Sequence, residues 1–140
     1  DYILTLKQMI KPYTWRFKNK KTLLEIPVTT MPVFKIPFHQ SYLLYISNIS
    51  TGLMKFYLHF AILMCKLTRT QPSYLLHPLD LIGKDVVPEL AFFPGMNVLS
   101  PRKLKIFETT MTILKNNFEL LPMGEFAARV KPVKTISLES

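Results

Sequence analysis

Acid–base or nucleophilic chemistry near neutral pH has few carriers in this chain: His39, His59, His77 and Cys65. Imidazole takes and gives protons at physiological pH, so the histidines come first. His77 closes the apolar run Tyr74-Leu75-Leu76 and is followed by Pro78, which restricts the backbone before it. An imidazole held at a strand end suits a general acid or base. The same place also suits a structural histidine bonded to a nearby carbonyl. Asp80 stands three positions on, in His-Pro-Leu-Asp. Its carboxylate either orients and charge-pairs that ring or closes a turn over residues 81–83. His39 precedes Ser41 at the end of a proline-rich path; it either faces the same cleft as His77 or is an ordinary loop histidine. His59 falls inside an apolar helix, as a core or rim residue.

Cys65 lies in the apolar run of residues 60–65 and reads as a buried, inert thiol. A single cysteine excludes an internal disulfide and fits a reducing, cytoplasmic compartment. Three histidines and one cysteine make no metal-ligand spacing. HExxH, paired CxxC, a Gly-rich phosphate loop and G-x-S-x-G are all missing.

The elements that would position these residues alternate. Tyr13, Trp15 and Phe17 alternate with polar residues, which predicts a strand or hairpin edge. A buried strand is expected over residues 23–28, and a short strand or the end of a helix over residues 2–6. Pro27, Pro32 and Pro37 then force an extended, looping path. Ser41 is expected to cap a short helix over residues 42–46, and Ser50 or Thr51 a longer one over residues 52–67. That second helix is apolar nearly all round, so it belongs in a core or a membrane. About 15 residues at ~1.5 Å each reach roughly 22 Å, short of a ~30 Å bilayer core, which favours a buried helix packed on a sheet and not a transmembrane span. Residues 72–78 read as a buried strand, and residues 79–98 as a loop folded back over the body. Ser100-Pro101 starts a helix whose apolar stripe is Leu104, Phe107, Met111 and Leu114. Asn116-Asn117 ends it, a short strand follows over residues 118–121, and a last helical turn over residues 124–130. This strand–helix alternation predicts an α/β fold with parallel strands, where reactive groups gather at the C-terminal ends of strands.

The chain has 140 residues, 49% hydrophobic and 12% aromatic, which suits one folded domain and excludes general disorder. It opens on Asp1, which suggests a processed chain or a piece of something longer, and the first residues lack a secretory-leader pattern. Its net charge is +9. Residues 1–22 hold Lys7, Lys11, Arg16, Lys18, Lys20 and Lys21 against the single acid Asp1. This basic N-terminal segment reads as a solvated arm; its other use is to grip an anionic polymer or membrane surface. Aromatics between basic residues also occur in single-strand binders, but a packed strand explains them better, so nucleic acid is not the expected partner.

Four blocks in order resemble the later part of the bacterial polysaccharide deacetylases, the NodB-homology hydrolases. They are Leu24-Glu25-Ile26-Pro27-Val28-Thr29, Pro37-Phe38-His39-Gln40-Ser41-Tyr42-Leu43-Leu44, Ser73-Tyr74-Leu75-Leu76-His77-Pro78-Leu79-Asp80 and Glu89-Leu90-Ala91-Phe92-Phe93-Pro94-Gly95-Met96. The resemblance implies a partial (β/α) barrel of the NodB type over residues 23–130, lacking its N-terminal strands, with a flexible tail over residues 131–140. It implies a hydrolase acting on carbon–nitrogen, non-peptide bonds of carbohydrate, removing N- or O-acetyl groups. The family uses a divalent metal, often zinc, to activate water. Its last motif, an apolar strand ending in Leu-x-His or Leu-Leu-His, matches Leu75-Leu76-His77 and implies that His77 protonates the leaving group. His39, Leu75 and Asp80 are implied at the substrate, with Leu75 as an apolar wall. The family's Thr-Phe-Asp-Asp and paired-His blocks have no counterpart here, and Pro78 replaces the Asp that follows its histidine. The resemblance therefore implies no metal bound by this chain alone, a carbohydrate substrate, and a complementing N-terminal half.

Overall fold

The computed structural model describes residues 10–138. The segment over residues 2–6, expected as a strand or a helix end, lies outside them. Strand β1 (Tyr13–Arg16) and strand β2 (Thr22–Glu25) form an antiparallel hairpin, pairing Tyr13 with Glu25 and Arg16 with Thr22. The turn between them closes by Phe17 N–H donating to Lys21 O, with Lys20 in the left-handed region at φ 63°. The alternation of aromatics is a true strand signal. Tyr13 and Trp15 share one face with rings edge-on at 5.5 Å, and the Trp15 indole N–H donates to Glu25. Burial, then Glu25, pushes the Tyr13 hydroxyl up to about 12. β1 is not an edge, however. Strand β3 (Thr135–Ser137) pairs parallel to it on the other side, giving the order β2-β1-β3. A strand thus stands where a flexible tail was expected. β2 is short and Leu23 on it is exposed, so residues 23–28 are not the buried strand their apolar content suggested.

Two helices carry the core. Helix α1 (Gln40–Ile49) and helix α2 (Thr51–Leu67) meet at Ser50. Ser50 is extended, and its Oγ accepts the Leu53 N–H at 3.3 Å, satisfying a donor that the helix cannot pair itself. α2 buries Met54, Leu58, Ala61, Ile62 and Cys65 against Leu43, Leu44 and Ile46 of α1. Helix α3 (Ser100–Lys115) adds Ile106 and Leu114. α2 therefore packs on helices, not on a sheet. Its other face, with Leu53, Phe56, Phe60, Leu63 and Leu67, is exposed, Phe56 to 71%. No helix among the described residues is long and apolar enough to cross a membrane.

The expected strand–helix alternation is not observed. Residues 72–78 are extended but join no ladder; they are tied by Thr29 N–H to Ser73 O and Gln40 N–H to Leu75 O. Residues 118–121 form no strand. Helix α4 (Met123–Arg129) follows them. The described residues make a small α/β body with one open, mixed, three-stranded sheet.

The loop between residues 83 and 99 is pinned at its neck and contains a 3-10 turn, Pro88–Leu90. Ser100 is not the helix cap expected of it. Its Oγ accepts the Gly83 N–H at 2.8 Å and donates to Asp85. Gly83 is required there: a Cβ would lie 2.4 Å from the Val98 carbonyl oxygen. The loop tip does not fold back over the body: Phe92 is 76% exposed, and its ring lies 4.5 Å from that of Phe93.

Candidate functional site

His39, Ser41, His77 and Asp80 converge where the start of α1 meets the Pro78–Asp80 3-10 turn. The local chain explains this. His77 is extended at φ −100° and ψ 150°, the conformation that a following proline imposes, and Pro78 then opens the turn with its missing N–H at no cost. Asp80 closes the turn: its Oδ2 accepts the His77 backbone N–H at 2.8 Å. The turn that Asp80 closes is this one and not the expected one over residues 81–83, and the same Oδ2 lies 3.5 Å from His77 Nδ1.

Ser41 joins the two segments. Its Oγ donates to Asp80 Oδ1 at 2.6 Å and lies 3.2 Å from His77 Nδ1. It was expected to cap a helix over residues 42–46. The helix instead begins at Gln40 with His39 at the capping position, and this leaves the Ser41 hydroxyl free for Asp80. Asp80 is only 5% exposed, so its two hydrogen bonds offset a desolvation cost that an unpaired buried carboxylate would carry in full. The His77 side chain is 52% exposed. Among the described residues its ring contacts involve Nδ1, which leaves Nε2 as the nitrogen for an incoming group.

The His39 ring lies 6.2 Å from the His77 ring and perpendicular to it, so the two histidines are neighbours. His39 Nδ1 is buried with no hydrogen-bond partner among the described residues. Burial holds the His39 pKa below the ordinary imidazole value, with Asp80 opposing and His77 reinforcing the shift. The unfolded imidazole therefore takes a proton near 6.5 while the folded one resists it. The expected outcome is full stability above that pH and a progressive loss as pH falls toward the lower folded value. Urea midpoints at pH 7.5 and 5.5 check this: the loss should be smaller in His39→Gln, and an equal loss in both proteins would contradict it.

Leu75 is half-buried, and its carbonyl receives the Gln40 N–H. Gln40, fully buried, accepts the Tyr74 hydroxyl at 2.7 Å, and burial pushes that hydroxyl far above its ordinary pKa. Beneath the turn, Lys103 of α3 is 2% exposed. Its Nζ donates to Leu79 O and Ile82 O, each at 2.7 Å, bracketing Asp80. Burial lowers the Lys103 pKa, and Asp80 and Asp85 oppose that shift. Ser41 and Lys103 are the members that reading the sequence missed.

Cys65 and His59 stand apart. Cys65 is buried, and its thiol is pushed up to about 11 by that burial. His59 is exposed on α2, where its Nδ1 meets Lys55 O. A cavity of about 410 Å³ lies elsewhere, between residues 71–74 and Leu114, Phe118 and Phe126, and does not include the histidine cluster. Among the described residues no group of three or more His, Cys, Asp or Glu side chains is placed to hold a metal ion. No family model, curated protein or solved structure matches the chain.

Proposed function

We propose that this chain is the C-terminal portion of a NodB-type carbohydrate deacetylase, with its three-stranded body belonging to a partial (β/α) barrel. The observation that carries the reading is the exposed His77 imidazole, anchored through Nδ1 by Ser41 and Asp80. In this reading His77 binds a proton at Nε2 and delivers it to the sugar nitrogen or oxygen as the acyl bond breaks. Fixing the ring in advance removes the entropy of orienting it during the reaction. His39 and Leu75 border the acetylated sugar, and Asp80 reaches it only through His77.

The described residues do not supply a metal's ligand set, so the family's divalent metal, zinc in the usual case, belongs in this reading to a complementing N-terminal half. The apolar face of α2, from Leu53 to Leu67, is the kind of surface a helix carries when more of a domain covers it. The chain alone is then inactive. Joined on its N-terminal side to the metal-binding half of a polysaccharide deacetylase, it should release acetate from acetylated glucosamine oligomers or O-acetylated polysaccharide, and a chelator should stop it. A folded joined protein that binds zinc yet releases no acetate from either substrate would defeat the proposal.

One observation favours a second reading. Lys18, Lys20 and Lys21 are exposed together at the β1–β2 turn, as a basic module gripping an anionic polymer or membrane surface would present them. That reading needs no hydrolysis, and its binding would weaken steeply with salt.

A further inference from the structure

Resting on the deacetylase reading, we infer that Ser41 is a positioning residue that fixes the tautomer of His77. A serine hydroxyl has one proton and two lone pairs. Its shorter contact, 2.6 Å, is to Asp80 Oδ1, and a carboxylate oxygen in that position only accepts. The proton is therefore committed to Asp80. What Ser41 presents to His77 Nδ1 at 3.2 Å is a lone pair, and a lone pair there requires a proton on Nδ1. Asp80 Oδ2, 3.5 Å from the same nitrogen, adds negative charge that favours the same state. The neutral ring is then the Nδ1–H form with Nε2 unprotonated and facing outward, and the charged ring carries its extra proton on Nε2. The proton that His77 exchanges is thereby confined to the nitrogen that a substrate can reach.

The surroundings agree. Asp80 cannot turn away from Ser41, because its second oxygen holds the His77 backbone N–H and its turn is held from below by Lys103. Ser41 is fixed in the first turn of α1. Other titratable groups around this turn include the edge-on His39 ring, and Tyr74 and Lys103, both of which interact with Asp80. The Asp80 backbone N–H faces the His77 side chain across the same turn, but its hydrogen bond goes to the His77 carbonyl oxygen at 2.9 Å.

Magic-angle-spinning NMR of the sedimented chain labelled at histidine with ¹⁵N reads the tautomer directly, whatever its assembly size, with His77→Gln assigning the signal among three histidines. Above the pH of ring protonation, the wild type is expected to show His77 predominantly as Nδ1–H. Ser41→Ala should lose that predominance and Ser41→Thr should restore it. Asp80→Asn releases the Ser41 proton toward Nδ1 and should reverse the ratio. A wild-type ring predominantly in the Nε2–H form overturns the inference, as does an unchanged ratio in both Ser41→Ala and Asp80→Asn. The measurement needs no substrate. The predicted tautomer without acetate release by the joined protein would defeat the deacetylase reading alone; acetate release with the opposite tautomer would defeat the role of Ser41 alone.

Discussion

Replacing His77 with alanine in the joined deacetylase should lower kcat for acetate release by about 10²–10⁴-fold, the usual contribution of a positioned general acid. This corresponds to roughly 3–5 kcal/mol of barrier at ~1.4 kcal/mol per tenfold. The effect should fall on kcat and leave KM nearly unchanged, because in the proposed reading the ring acts on the leaving group and not on the rest of the sugar. Stability should change little, since the His77 side chain is half exposed and its backbone N–H, which Asp80 holds, survives the substitution. His59→Ala supplies the control: that ring is exposed on α2, and its Nδ1 meets the Lys55 carbonyl oxygen of its own helix. Initial rates against substrate concentration for the three proteins check this. A His77→Ala enzyme within twofold of wild type would remove the acid from the mechanism.

Lys103→Met should destabilise the fold by about 2–4 kcal/mol while preserving most of the buried side-chain volume. The lysine stem is nearly isosteric with methionine, so packing changes little. The loss comes from the ammonium, which satisfies the carbonyls of Leu79 and Ile82 at once. Each buried acceptor left without a donor costs about 1–3 kcal/mol. Removing the buried charge returns part of its desolvation cost, which places the sum toward the lower end. Asp80 and Asp85 also lose a nearby cation. The urea midpoint should fall with an unchanged slope. An equal or higher midpoint would mean that those carbonyls find other donors.

The site was more legible in the sequence than the fold around it. His77, Asp80 and His39 stood out because proline fixes the backbone near each, and their side chains do lie beside one another. Ser41 was misread because a serine before an apolar run resembles a cap; its real partner lies 39 positions away, beyond any local pattern. Lys103 was hidden for a related reason. Apolar periodicity placed the inner face of α3 on Leu104, Phe107, Met111 and Leu114; of these only Leu114 is buried, in a row with Lys103, Ile106 and Thr110. Leu104 is exposed, and no pattern built on hydrophobicity reports a lysine satisfied by carbonyls. Residues 72–78 carry strand-like apolar content but no neighbour to pair with, and pairing is a tertiary fact. Thr135–Ser137 was overlooked because three residues in a polar stretch give almost no signal; β1 alone makes them a strand.

The parallel pairing of β1 with β3 decides how this unit can be wired into a larger polypeptide. Because both strands run the same way, residues entering before Tyr13 arrive at one end of the ribbon and residues leaving after Ser137 depart from the other. Three residue steps, roughly 10 Å, separate those two ports. An upstream segment is thus delivered beside Thr135 and the closing residue of β2, Glu25, whereas a downstream one emerges beside the basic hairpin turn.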